Sequence, residues 1–518
     1  VNAKEWSPFY SADGVANGTD ANRTAFLQRR NEVYYPLGVP NLFYTSGNSR
    51  GTNAREVNEL TFQLDATSQI TNSHEMKAGV EVIQYEVKQD RMSDPWDATP
   101  FYDQWGPFKP VYAAAHIQDK IEYEGMTVTL GGRFDYFDAD AKVWTDPLKP
   151  GAGSLMPDGT VNTAGRSDLD GDPTGDGYRD VDVDAKTAFS PRIGISHPVS
   201  DKALLYFNYG HFRTVQTMAT LYESYAPDLN RSNTRIGNPD LPMLKTISYE
   251  IGYTQEMAAN TKLDVVLYYK NMTNLPTYER VPAIGGAYTY AAATSETMVG
   301  DETANVGYGR ARGAEFVLTK FRGNDGYLSG WLSYSYMRAT TIYSDANDAY
   351  ERFSRSALDP QTGELANPPD IPATADFDRT HAIRASLDLR LPTGFGPTIA
   401  GMRPLQNSGL NVLQSANAGL PYTRTDYDGD PIGETNEFTK PWTFETNLTV
   451  NKDFLFGQTK ASVYCKVTNL FDRRNIQEVY PRTGNSTDDG KRFGQAQPNT
   501  IDPTSANWIY EGVKDGID

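Results

Sequence analysis

The sequence predicts an all-β fold, an antiparallel transmembrane β-barrel with long loops at one end and short turns at the other. Three observations carry that prediction. Short segments alternate apolar and polar side chains with period two. The links between them alternate strictly between long and short. The chain is rich in tyrosine, 32 of 518 residues, yet has no apolar run near the roughly 18 residues of a membrane-spanning helix.

Composition removes several classes. The mean hydropathy of -0.57 excludes a helical membrane protein but not a barrel, whose strands each carry one polar face. The formal net charge of -18 and a pI near 4.8 argue against a nucleic-acid partner, which needs a basic surface to displace counterions. Cys465 is the sole cysteine, so there is no intrachain disulfide framework, and its alternating surroundings make it a small strand residue. No signal peptide opens the chain at Val1, which implies that a leader was removed or that the natural start lies elsewhere.

The first strand is expected at about 56–70. In "TVTLGGRFDYF", Val128, Leu130, Phe134 and Tyr136 share one face, and Thr127, Thr129, Arg133 and Asp135 share the other. A very short link at Glu124-Gly125 precedes this strand, and a long acidic loop, roughly Ala139 to Lys186, follows it. "PVSDK", Pro198 to Lys202, is short again. In "SYEIGYT", Tyr249, Ile251 and Tyr253 oppose Ser248, Glu250, Gly252 and Thr254. In "KLDVVLYYK", Leu263, Val265, Leu267 and Tyr269 oppose Asp264, Val266, Tyr268 and Lys270.

Further long links fall near 215–243, 275–301, 342–376 and 420–440, and short ones near 257–260, 322–325 and 454–457, with an intermediate link near 392–406. The count is about fourteen strands, the last at about 458–470. A soluble sandwich gives no reason for such alternation. A barrel does, because short turns face the periplasm and long loops face outside. By that parity the first strand runs inward and the last outward, so further strands are expected beyond both ends of the sequence.

Five segments in order, "SPRIGISHPVSDKALLYFNYGHF" (Ser190 to Phe212), "GNPDLPMLKTISYEIGYTQ" (Gly237 to Gln255), "GRARGAEFVLTK" (Gly309 to Lys320), "GLPYTR" (Gly419 to Arg424) and "KVTNLFDRRN" (Lys466 to Asn475), resemble the barrel of TonB-dependent outer-membrane receptors. The similarity is greatest to the Oar-like branch, whose members carry a carboxypeptidase-regulatory-like domain before the plug. It covers most of the chain from about His74 onward.

In such receptors "NP-x-L" closes an outside loop and "E-x-G" lies on the strand descending from it, places held here by Asn238, Pro239, Glu250 and Gly252. Family members often read "NPDLKPEKT" where this chain has "NPDLPMLKT". Pro242 still blocks premature strand pairing, since it has no N–H to donate.

The resemblance implies an N-terminal plug with a TonB box and a barrel of about 22 strands, usually closed by a strand ending in an aromatic residue. Residues 1–518 are then part of a barrel. One strand is expected after Asp518, and about seven strands with the plug before Val1. The implied partners are outer-membrane lipid, the TonB–ExbB–ExbD complex acting through the plug, a nutrient ligand and a surface lipoprotein, with no nucleic acid. Without its plug the polypeptide would not gate transport by itself.

Enzyme motifs are scarce. The sequence has no G-x-S-x-G elbow, H-E-x-x-H or P-loop, and "GYGRARG", Gly307 to Gly313, has the wrong spacing for a dinucleotide fingerprint. His74, His116, His197, His211 and His381 are scattered without metal-ligand spacing and read as strand or turn residues.

Two acidic loops share the pattern D-x-D-G-D-P-x-G-[D/E]. In "DLDGDPTGDGYRD" the candidate ligands are Asp168, Asp170, Asp172, Asp176 and Asp180, and in "DYDGDPIGETNE" they are Asp426, Asp428, Asp430, Glu434 and Glu437. Alternating carboxylates across a tight turn suit Ca²⁺, which takes six to eight oxygens. The second set follows positions one, three, five, nine and twelve of an EF-hand loop, but Pro431 replaces the glycine at six and no flanking helices are expected, so an EF-hand is rejected. In the first, Arg179 stands at twelve and Asp180 one place later. The competing reading is a solvated acidic turn, for which Asp and Gly are favoured anyway.

The loops at about 215–243 and 342–376 hold Tyr222, Tyr225, Arg231, Arg235, Tyr343, Tyr350, Arg352, Phe353 and Arg355. Such residues suit a ligand-capturing loop and equally an ordinary barrel rim, so no substrate residue is assigned. The expected function is uptake of a nutrient without chemistry on it. The alternatives are a barrel that anchors a surface partner without transport, and a secreted β enzyme acting on polysaccharide. The loop alternation and the missing catalytic signature weigh against the enzyme.

Overall fold

The computed structural model describes residues 51–93, 101–143, 181–223, 235–282, 288–293, 307–323, 326–342, 372–426 and 431–490. Fourteen strands form the continuous path of a sixteen-stranded antiparallel sheet, in chain order: β1 (Gly51–Thr71), β2 (His74–Ser93), β3 (Val111–Tyr123), β4 (Met126–Asp138), β5 (Lys186–Ser200), β6 (Ala203–Thr214), β7 (Leu244–Ala258), β8 (Thr261–Thr273), β9 (Gly309–Lys320), β10 (Leu328–Thr341), β11 (His381–Leu391), β12 (Ser408–Asn417), β13 (Thr443–Phe456) and β14 (Thr459–Val467). Among the described residues β1 and β14 are the two edges. Each strand reaches the roughly nine to eleven residues that cross a bilayer at a tilt.

Every strand pairs with its sequence neighbour, so all odd-numbered links fall at one end of the sheet and all even-numbered links at the other. Five of the odd links are two residues long: Asn72-Ser73, Glu124-Gly125, Asp201-Lys202, Ala259-Asn260 and Gly457-Gln458. Gly125, Asn260 and Gly457 take positive φ of 76°, 59° and 60°, which matches the twist of the flanking strands in a tight hairpin. The other two odd links are longer: 321–327 has seven residues, and 392–407 folds on itself through the Ile399–Met402 bridge.

Register assigns the faces. The ladder Phe207, Ile251, Leu267, Ala314, Tyr336, His381 runs across β6 to β11 on one face. This outer face exposes apolar side chains, Ile251 and Leu267 at 45% and 48%, as a lipid-facing wall requires. The opposite, lumen face carries Asn208, Glu250, Tyr268 and Gly313 in one ladder.

A compact core lies at the long-loop end, against the lumen face of β2 and β4. The helix α1 (Met218–Tyr222), N-capped by Thr217, inserts Leu221 and Tyr222, both fully buried. The Tyr222 ring stacks on Phe108 at 4.5 Å and tilts against Trp105 at 5.5 Å, and its hydroxyl donates to the Ala139 carbonyl at 2.6 Å. Val87, Phe137, Leu241 and Met243 complete the core. The short strand Phe101–Phe108, which pairs with the far end of β2, brings Trp105 and Phe108 there.

The "NPDL" turn closes this loop from the other side. Asn238 and Pro239 are buried. The Asn238 amide donates to the Thr220 carbonyl at 3.0 Å, and its side-chain Oδ1 accepts from the Asp240 amide at 2.9 Å. The Gln216 side-chain amide spans the loop, donating to the carbonyls of Pro242 and Asn274, each at 3.0 Å.

Candidate functional site

The lumen wall carries the densest polar chemistry. Arg133 on β4 projects there beside Asp135, two residues along on the same face. Arg133 Nε donates to Asp135 Oδ1 at 2.7 Å, and its Nη2 donates to the Tyr112 hydroxyl at 2.8 Å and to Glu81 Oε2 at 3.2 Å. Tyr112 in turn donates to Asp135 Oδ1 at 2.7 Å. The Asp135 side chain is 2% exposed, so these donors rather than water satisfy its Oδ1. Its Oδ2 and the buried Ser190 Oγ have no hydrogen-bond partner among the described residues. One ladder position nearer the turns, His116 faces Asp65 across the empty Cα of Gly79, with Nε2 3.7 Å from Oδ1.

A second patch lines β6 to β9. Asn208 donates to Glu250 at 3.3 Å, Thr254 donates to Asp264 at 2.7 Å, and Lys262 pairs with Asp264 at 2.9 Å. Two glycines open space for aromatic rings. The Tyr206 ring lies across Gly252, and the Tyr268 ring lies across Gly313. The "E-x-G" of β7 and the "G-x-E" of β9 are therefore the same device, a carboxylate beside a glycine roofed by a tyrosine from the preceding strand. Glu250, Asp264 and Glu315 make this part of the wall acidic.

A third polar region lies towards the turns. Asp388 accepts from Arg322 at 3.0 Å and from Arg390 Nε at 2.9 Å, beside a cavity of about 430 Å³ lined by both arginines, Tyr327, Asn451 and Asp453. These three patches make the lumen face a hydrogen-bonding surface.

Much of what the sequence singled out lies elsewhere. Asp168, Asp170, Asp172, Asp176 and Asp180, with Asp428 and Asp430, fall outside the described residues. Asp426 opens the loop of a small hairpin, Arg424–Thr425 paired with Pro431–Ile432, and its carbonyl accepts from Arg482 Nε at 3.2 Å. Glu437 folds back to accept from the Glu434 amide at 3.3 Å. No group of three or more His, Cys, Asp or Glu side chains converges among the described residues.

Of the loop aromatics and arginines, Tyr222 is a core residue, removed from any ligand by its burial. Arg235 lies in a two-residue strand paired with Tyr288–Ala293. Tyr225, Arg231, Tyr343, Tyr350, Arg352, Phe353 and Arg355 lie outside the described residues.

Each histidine has its own partner: Asp119 for His74, Asp65 for His116, the Gly125 carbonyl for His197, Tyr209 for His211 and Tyr334 for His381. Sequence reading placed Arg133 and Asp135 on a polar face but missed Glu81 and Tyr112, which join them only through the pairing of β2, β3 and β4.

Solved structures with a similar fold include the outer membrane transporter YddB from Escherichia coli, 9% identical with a TM-score of 0.49 over 81% of this chain and 51% of that one. The ferric yersiniabactin uptake receptor FyuA from Yersinia pestis is 13% identical, with a TM-score of 0.44 over 82% and 50%. The copper transporter OprC is 14% identical, with a TM-score of 0.45 over 82% and 52%. The chain thus spans about half the length of the solved structures it matches. No curated protein matches it in sequence. Residues 6–470, which take in the whole strand path, match the family described as TonB dependent receptor-like, beta-barrel. The chain belongs to that family of receptor β-barrels.

Proposed function

We propose that this chain is barrel wall of an outer-membrane receptor that takes up a nutrient, with the long loops outside and the two-residue turns in the periplasm. The observation that carries the reading is the division of the sheet into an apolar outer face and a hydrogen-bonding lumen face. Family membership supports the same reading. A polar ligand would be captured at the long-loop end and released past the lumen patches. The energy would come from TonB–ExbB–ExbD through a plug encoded with the barrel, and a surface lipoprotein could cover the loops. The five ordered segments quoted above support membership of the Oar-like branch.

The test is a deletion strain grown on limiting metal chelates, glycans, peptides or vitamins. One of these classes is expected to fail to support growth, to be restored by the complete gene, and to fail equally in a strain lacking ExbB–ExbD. Normal growth on every class, with a changed cell surface, would instead identify a barrel that anchors a surface assembly.

A further inference from the structure

Carboxylates are confined to one face over five consecutive strands. On the lumen side of β6 to β10 stand Glu250, Glu256, Asp264 and Glu315, together with Lys262 and Lys270. The outer face of the same strands carries no carboxylate among its described residues, although the whole chain has a net charge of -18. At its long-loop end it carries Arg213, Lys245, Arg310, Arg312 and Arg338.

These five cations form a band. Arg213 stands directly opposite Lys245, and Arg312 directly opposite Arg338. Arg310 lies one outward position beyond Arg312. The ladder Tyr209, Tyr249, Tyr269 leads straight into Arg312 and Arg338, and the next one towards the turns ends in Tyr336 and His381. The band therefore borders an aromatic belt of the kind that marks the membrane–water interface, with the apolar wall below it.

Like charges opposite one another on a sheet repel, and nothing described in the protein offsets them. Arg312 and Arg338 are exposed and have neither hydrogen bond nor ion pair among the described residues, and Arg213 Nε is buried without a hydrogen-bond partner among them. Only Arg310 is engaged, with the hydroxyl and ring of Tyr308.

We propose that this band binds the phosphate of a lipid headgroup in the outer leaflet. Two guanidinium forks a strand apart can each present paired donors to one phosphate, which also relieves their repulsion. Their height selects the source, since an anion there must belong to a lipid whose chains run down the apolar wall. The inference rests on the proposed orientation, with long loops outside.

The complete protein in maltoside micelles is titrated with dioleoyl phosphatidic acid or dioleoyl phosphatidylcholine, and retained lipid is counted by native mass spectrometry. Phosphatidic acid is expected to be held preferentially. In Arg312→Gln/Arg338→Gln its affinity should fall roughly 30-fold, from about fivefold per cation at an anionic surface. Lys320→Gln, on the same face at the turn end, should leave it unchanged.

Arg338→Lys, which keeps the charge and loses the fork, should fall between the two and serves if the double variant does not fold. Equal retention by parent and Arg312 or Arg338 variants, equal retention of the two lipids, or complete displacement by inorganic phosphate at equal concentration would overturn the proposal. None of these outcomes depends on uptake, so the transport reading fails or stands separately.

Discussion

The ring of Tyr206 occupies the space where Gly252 has no side chain: a Cβ at residue 252 would lie 2.0 Å from the tyrosine Cζ. The two residues are direct partners across β6 and β7. The glycine is thus required by its neighbour rather than by its own backbone. Gly252→Val is expected to destabilise the barrel by about 1–3 kcal/mol, the usual range for overpacking. Thermal unfolding in detergent checks this, and adding Tyr206→Ala should recover most of the loss. An uncoupled pair would show that the ring has another resting place.

Arg133 holds a carboxylate that has little access to water. Arg133→Met leaves Asp135 buried without its guanidinium and is expected to cost about 3–5 kcal/mol, as for other broken buried pairs. Arg133→Met/Asp135→Asn should restore much of it, because the stranded charge is gone. Glu81→Gln, whose side chain is 30% exposed, should cost less than about 1 kcal/mol. Chemical denaturation of the four proteins decides, and a double variant no better than Arg133→Met would refute the account.

Leu221→Ala should open the long-loop end without melting the sheet. Its side chain is fully buried in the loop core, so truncation is expected to cost about 2–5 kcal/mol locally. Tyr222→Phe loses the bond to Ala139 and should cost about 1 kcal/mol. Limited proteolysis is the readout. Faster cleavage in the loops of Leu221→Ala with strands intact is expected, and loss of the whole barrel would mean that the loop core supports the wall.

The acidic loops are expected to bind Ca²⁺ weakly, with Kd on the order of 0.1–1 mM as in extracellular modules. Ca²⁺ should slow proteolysis at the long-loop end and a chelator should reverse that, while Asp172→Asn and Asp430→Asn should each remove part of the protection. Cleavage unchanged by Ca²⁺ well above that range would leave both loops as solvated turns.

Much of the fold was legible because its signals are local. The alternation in "KLDVVLYYK" assigned Leu263, Val265 and Leu267 to one face, and the pairing of β7 with β8 agrees residue by residue. The count of about fourteen strands matches the observed path, because two-residue links such as Glu124-Gly125 announce themselves by length and glycine. The link at 392–407 read as intermediate for a physical reason, since it folds on itself instead of turning directly.

The site was less legible. Tyr222 read equally as part of a ligand-capturing loop or of an ordinary barrel rim, because aromatic loop residues look alike until their burial is known. Glu81 carried no signal of its meeting with Arg133, 52 residues away. The sequence by itself determined which segments are strands, which face of each is apolar and at which end the loops gather, all consequences of a two-residue period and of link length. Only the tertiary structure decided that Tyr206 covers Gly252, that Glu81 and Tyr112 hold Arg133, and that Arg312 faces Arg338. Those meetings depend on the register between strands and on where a loop returns, which no run of consecutive residues encodes.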